Sequence, residues 1–184
     1  MASLRLVPIF SAADGPLLGR LATDLADLLH LAVEQHPPSF DPELAFDSSR
    51  GQYNSRILLA QLLREDERAT RVLGVSSVDL FLPVLTYVFG EAQLDGRAAV
   101  VSSYRLDNTL YGLPENRELL YQRLLKESVH ELGHTFGLVH CHVAGCVMNA
   151  STYAEDIDLK GERYCGGCGE AVRSYRGAAA AGRG

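Results

Sequence analysis

No cysteine occurs before position 141 or after position 168 of this 184-residue chain. The protein therefore has no general disulfide framework, and whatever its thiols do is confined to one short segment. Basic charge is in deficit: 17 Lys and Arg stand against 23 Asp and Glu, a formal net charge of −6. That balance argues against a nucleic-acid surface, which normally carries a basic patch. No apolar run approaches the roughly 18 residues that a membrane span requires, and no internal repeat marks a solenoid. The opening stretch Met1–Phe10 holds one basic residue, Arg5, and its apolar run is broken by Pro8. That run is shorter than the apolar region of a signal peptide, about 7 to 15 residues. A first core strand accounts for it, so a cytoplasmic location is expected. Because the chain starts almost at that strand, no inhibitory prodomain is expected. With 47% hydrophobic residues, the length suits one sizeable core and is short for two.

Against these absences stands His130-Glu131-Leu132-Gly133-His134-Thr135-Phe136-Gly137-Leu138-Val139-His140. On a helix, positions 130 and 134 differ by only about 40° in azimuth, so both imidazoles reach one metal from one face, the logic of H-E-x-x-H. Glu131 lies about 100° further round, outside the ligand pair but near enough to act on a water at the metal. A glycine commonly ends a helix by adopting the left-handed conformation. A chain that turns at Gly137 can bring His140 back as a third ligand, which a straight helix cannot do. Three nitrogens leave one tetrahedral position open, the mark of a catalytic rather than a structural zinc. Three satisfied core histidines are the bland alternative, but the full pattern is far more specific than its five-residue core.

Cys141, Cys146, Cys165 and Cys168 follow directly. A C-x4-C pair and a C-x2-C pair supply four thiolates, enough to close a tetrahedral zinc shell. Gly166 and Gly167 suit a tight knuckle at the second pair. Two disulfides, or a redox pair at Cys165–Cys168, remain as alternatives. The first needs an oxidising compartment, and the second usually sits near a βαβ pattern.

Period and breakers organise the rest. A strand is expected over Leu4–Phe10, then a helix from Pro16 to about Gln35 with Leu17, Leu21, Leu25, Leu28 and Leu29 on its inner side, ended by Pro37-Pro38. His30 and His36, without partner spacing, are surface or packing residues. A short strand near Leu44–Phe46, a helix over Tyr53–Arg64 and a strand at Arg71–Val75 follow. Thr86–Gln93 and Ala98–Tyr104 are expected to pair through Leu94-Asp95-Gly96-Arg97, whose Asp-Gly is a hairpin signal. Pro114 opens the active helix, with Leu120, Leu124 and Leu125 packing inward. The fold class is thus mixed α/β: a mostly parallel, twisted sheet with one antiparallel edge strand, flanking helices, and an active-site helix followed by a small zinc-bound C-terminal subdomain. The Gly-, Ala- and Arg-rich stretch after Ala171 is expected to lack order.

The run H-E-x-x-H-x-x-G-x-x-H-C-x4-C-x-M with its later C-x-x-C, together with Phe89–Ser102, resembles the archaemetzincins, a compact branch of the metzincin zinc peptidases. The motif block covers Val129–Cys168. The resemblance implies a catalytic zinc on His130, His134 and His140, Glu131 as base, a second zinc on the four cysteines, and Met148 as the methionine of the turn beneath the metal. Alone, Met148 would pass for a core filler. Some metzincins place a ligating tyrosine two residues past that methionine; Ala150 stands there, so that ligand is absent. The implied organisation is one metzincin-like catalytic domain over residues 1–171, split into 1–136 and 137–171, with a tail at 172–184.

Such a site implies hydrolysis of a peptide bond, with Glu131 taking a proton from the attacking water and returning it to the leaving amine. An extended substrate could add as a strand along the hairpin edge near Tyr87–Ala92. Glu91 there is either a specificity residue or a solvated side chain. The expected partner is a peptide or protein substrate, with no nucleic acid and no membrane, and the chain is expected to be a monomer. A zinc-stabilised interaction module without turnover is the second reading. Retention of Glu131 weighs against it, since zinc binding needs only the histidines. A zinc-ribbon nucleic-acid binder is disfavoured by the acidity. Subsite residues sit on loops, so cleavage specificity is not legible.

Overall fold

The computed structural model describes residues 3–10, 15–64 and 69–181. The elements in chain order are β1 (Ser3–Ile9), α1 (Gly15–Leu29), β2 (Ala32–Gln35), β3 (Phe46–Asp47), β4 (Gln52–Asn54), α2 (Ser55–Leu62), β5 (Arg71–Ser76), β6 (Leu80–Phe81), β7 (Gly90–Ala92), β8 (Ala98–Ser102), α3 (Arg117–Thr135), α4 (Ala154–Leu159) and α5 (Gly166–Ala181). One 3-10 turn precedes β3, and two, Tyr104–Leu106 and Asn108–Tyr111, separate β8 from α3.

Alternation along the strands builds two cores on the two faces of one sheet. Leu4, Leu6, Leu73, Val75, Ala99 and Val101 face α1 and α3, while Val7, Ile9, Val72, Ala98 and Val100 face α2. The sheet runs β2-β1-β5-β8-β7. Its first three pairings are parallel and the last, β7 with β8, is antiparallel. The fold is therefore mixed α/β with a mostly parallel sheet and flanking helices. α1 closes one side through Leu18, Leu21, Leu25 and Leu29, all buried, and each such leucine contributes about 1.5–3 kcal/mol. On the other side α2 approaches so closely that a side chain at Gly74 would meet Leu62 and Ile9. No helix among the described residues is long and apolar enough to cross a membrane.

Several local expectations change. The helix from Pro16 stops at Leu29, and His30 takes a left-handed φ of 51°. Ala32–Gln35 then pairs parallel with β1 as an edge strand, so hydrogen bonding to β1 overrides helical continuation. His36 donates its amide to Leu6. Leu44–Phe46 is a 3-10 turn, Pro42–Ala45, capped by Asp41 and running into β3. Tyr53 belongs to β4 rather than to the following helix, which Asn54 caps. β3, β4 and β6 form a second, three-stranded sheet that no local pattern marked. Thr86–Gln93 shrinks to β7, because Val88 bridges Leu80 instead of continuing along β8. α3 begins at Arg117 with Asn116 as its cap, not at Pro114.

The largest correction is α5. The stretch after Ala171 is helical through Ala181, while residues 182–184 of the expected tail lie outside those described. Alanine is the best helix former, and the helix has something to pack on: Val172 is buried and the Tyr175 ring meets Phe136 edge-on at 5.9 Å. Arg71 reaches across to the end of α3, its Nε donating to Thr135 Oγ1 at 2.9 Å.

Candidate metal centre

α3 delivers His130, Glu131 and His134 to the floor of a cleft of about 760 Å³. One wall is the chain from Thr86 to Ala92, ending in β7, and the other includes Ser151, Thr152 and Tyr153. α3 ends at Thr135, and Gly137 adopts φ 82°. Leu138 N donates to Gly133 O at 3.1 Å and Gly137 N to His134 O at 2.9 Å, the paired bonds of a Schellman turn. That turn sends the chain back, so His140 lies over the same face, its ring 5.3 Å from His130 and 5.2 Å from His134. The hairpin loop between β7 and β8 adds a further bond here, Asp95 N to His134 O at 3.0 Å.

The ring nitrogens are oriented from behind. His130 Nδ1–H donates to Val147 O at 2.8 Å and His134 Nδ1–H to Leu138 O at 2.7 Å. A carbonyl only accepts, so each Nδ1 carries the proton and each Nε2 keeps its lone pair. Those two Nε2 atoms face one another at 3.1 Å, an arrangement of two acceptors that makes sense around a cation. Tetrahedral zinc with bonds of about 2.0–2.1 Å would place them about 3.3 Å apart. One ligand nitrogen from each of the three histidines lies within 4.8 Å of the others. Burial and the ammonium of Lys160 hold His130 down at about 3, and burial lowers His134 as well. Both shifts favour the neutral imidazole that metal binding requires.

Glu131 is buried beside them, 6% exposed. Burial, then the neighbouring Glu127, push its pKa well above the usual carboxylate range; Lys160 opposes this and Glu91 adds to it. Its place exists because residue 90 has no side chain: a Cβ at Gly90 would fall 2.7 Å from Glu131 Cγ and 2.7 Å from Val100 O. Glu91 lines the same cleft and pairs with Arg56 at 3.6 Å. Three further groups at this site had no signal in the local pattern. These are Gly90, the carbonyl of Val147, and Lys160, whose Nζ is 2.7 Å from Glu127 Oε1 with both side chains buried.

The four cysteines converge as well. All are unbonded thiols, with each sulfur within 4.8 Å of the others and Cys141 and Cys165 3.9 Å apart. Zinc–sulfur bonds of about 2.3 Å imply sulfurs about 3.8 Å apart in a tetrahedron. The second pair is not an isolated knuckle, since Cys165 precedes and Cys168 belongs to the first turn of α5. The backbone amide of Cys168 donates to the Cys165 sulfur and draws that thiol down to about 7. Met148 is fully buried in the intervening turn, against Gly133 of α3, where an added Cβ would collide with its Sδ. Ala150 is exposed.

Two clusters that could each hold a metal ion, one of them opening on a cleft in a mixed α/β fold, suit a metallohydrolase-like protein. Comparison with known proteins makes that specific. Residues 41–174 match the family model for peptidase family M54. Archaemetzincin from Methanocaldococcus jannaschii is 46% identical over 132 residues, 71% of this chain and 72% of that protein. The protein of the same name from Methanopyrus kandleri is 44% identical over 132 residues, 72% of each. The crystal structure of the M. kandleri archaemetzincin superposes with a TM-score of 0.83 at 36% identity, covering 95% of this chain and 94% of that one. The Archaeoglobus fulgidus archaemetzincin, crystallised with malonate, gives 0.78 at 32% identity over 92% and 99%. The chain belongs to the archaemetzincins, peptidase family M54, and is a zinc metallopeptidase.

Proposed function

We propose that His130, His134 and His140 hold the catalytic zinc, that Glu131 is the general base, and that Cys141, Cys146, Cys165 and Cys168 hold a second, structural zinc. The observation that carries the reading is the pair of unprotonated Nε2 atoms facing each other at 3.1 Å while both Nδ1–H groups are locked to carbonyls. When bound, zinc supplies Lewis acidity that polarises a scissile carbonyl and brings the pKa of water to about 7. Glu131, next to the ligands and facing the cleft, takes the proton of the attacking water and delivers it to the leaving amine. Its raised pKa favours holding that proton between the two steps. An extended peptide or protein segment lies along β7, which stands at the edge of the sheet and offers backbone groups to an added strand.

Met148 supports the metal from beneath, and residues 137–171 form a subdomain organised by the thiolate zinc and docked on residues 1–136. Four unbonded thiols fit a reducing, cytoplasmic setting. The test is cleavage-site profiling of a peptide library with the zinc-loaded protein and with Glu131→Ala. Cleavage by the wild type that disappears in the variant supports the reading. Cleavage by both, or by neither, removes it.

A further inference from the structure

The interior beneath the histidines contains a charged pair that neither zinc binding nor proton transfer demands. Lys160 follows α4 and its side chain is 1% exposed; Glu127, on α3 one turn before Glu131, is 5% exposed. Taking two such charges out of water is expensive, and apolar residues of similar volume often serve packing as well or better. The pair therefore calls for a role other than packing.

Its geometry supplies one. Lys160 Nζ lies 2.7 Å from Glu127 Oε1, donates to the carbonyl of Asn149 at 3.2 Å, and sits 3.4 Å from His130 Nδ1. Asn149 ends the turn Val147–Asn149, whose first carbonyl receives the His130 Nδ1–H at 2.8 Å. One ammonium thus joins the active helix to the turn that orients the helix's first histidine. A second contact holds the same turn from the other side, Val147 N to Arg163 O at 3.0 Å.

We propose that Lys160, held by Glu127, is a positioning residue for the reaction: it clamps the Val147–Asn149 turn to α3 so that the His130 ring presents Nε2 to the metal. This rests on the assignment of the three histidines to zinc given above. Lys160 acts through His130, and Glu127 lines the cleft beside Glu131.

The test uses the full chain with zinc on both sites and compares wild type with Lys160→Met and Glu127→Met/Lys160→Met. The single variant strands a buried carboxylate, and loss of folding is expected there. The double variant removes both charges with side chains of similar size, so its melting temperature should equal or exceed that of wild type. Zinc affinity at the histidine site, read by competition with a chelator, should nevertheless fall about 10- to 100-fold, the usual effect of losing a group behind a metal ligand. On any peptide the wild type cleaves, kcat should fall while KM holds. A folded double variant with wild-type zinc affinity overturns the clamp. A double variant that no longer folds also overturns it, because the pair would then serve the fold and not the ring. Failure of the wild type to take up zinc at the histidines is a different result, which removes the parent reading and the clamp with it.

Discussion

His130 donates its Nδ1–H to the carbonyl of Val147 at 2.8 Å, and Val147 stands between Cys146 and Met148. The residue that orients the first histidine is thus covalently attached to one member of the thiolate cluster. His140, likewise, is bonded to Cys141, whose amide donates to Met148 O at 2.9 Å. The two clusters are thus linked by one peptide bond, His140–Cys141, and by one hydrogen bond, from His130 to the residue that follows Cys146.

That linkage yields a prediction about the cysteines. Replacing Cys165 and Cys168 with Ser should weaken zinc binding at the histidines about 10- to 100-fold, although neither residue approaches that site as a ligand. Zinc titration of the double variant against wild type decides it. Equal affinities in a folded protein would mean that the sites are independent.

Removal of metal should be stepwise. The histidine site opens on the cleft, with His140 exposed, whereas Cys146 is buried. A chelator should strip the first zinc with little change in circular dichroism. Loss of the second should unfold the C-terminal segment, since binding energy at a closed thiolate site is folding energy. Elemental analysis before chelation should find two zinc ions per chain; one ion, or none with two disulfides by mass, is the contrary result.

Glu131→Ala should lower kcat by about 100- to 10,000-fold, the range of general acid–base catalysis. Zinc content should hold, because the proposed ligands are the three histidines and not Glu131. His140→Ala should do the reverse and reduce occupancy of the histidine site. Undiminished affinity in that variant would contradict the return of the chain after Gly137.

Gly90→Ala probes the contact between sheet and helix. The added methyl would enter the space of the Glu131 side chain and also meet the backbone oxygen of Val100, so β7 and Glu131 must shift apart. A displacement of about 1 Å can cost 100-fold in rate. Activity should fall on that scale with zinc stoichiometry unchanged, and a fully active Gly90→Ala would show that the strand yields without moving the carboxylate.

Much of this architecture was legible because it is written in local spacing. The i, i+4 histidines, the left-handed glycine after the helix and the alternation in β5 and β8 each concern residues within a few positions of one another. The antiparallel β7–β8 pair was legible too, through the turn chemistry around Asp95-Gly96, although its first half was drawn too long. The tail was misread because its Gly and Ala content says nothing of Val172 and Tyr175 finding a surface at Phe136 and Arg71.

By itself, then, the sequence determined the active helix, its turn at Gly137, the convergence of three histidines and the clustering of four thiols. These follow from helix azimuth and from ligand chemistry, which act over short stretches. Only the tertiary structure decided that Ala32–Gln35 is a strand, that Gly90 makes room for Glu131, that Val147 holds His130, and that Lys160 meets Glu127 beneath it. Each of these depends on residues brought together from distant parts of the chain. Strand pairing, close approach of backbones and burial of an ion pair are properties of packing, and hydrophobic periodicity carries no record of the partner.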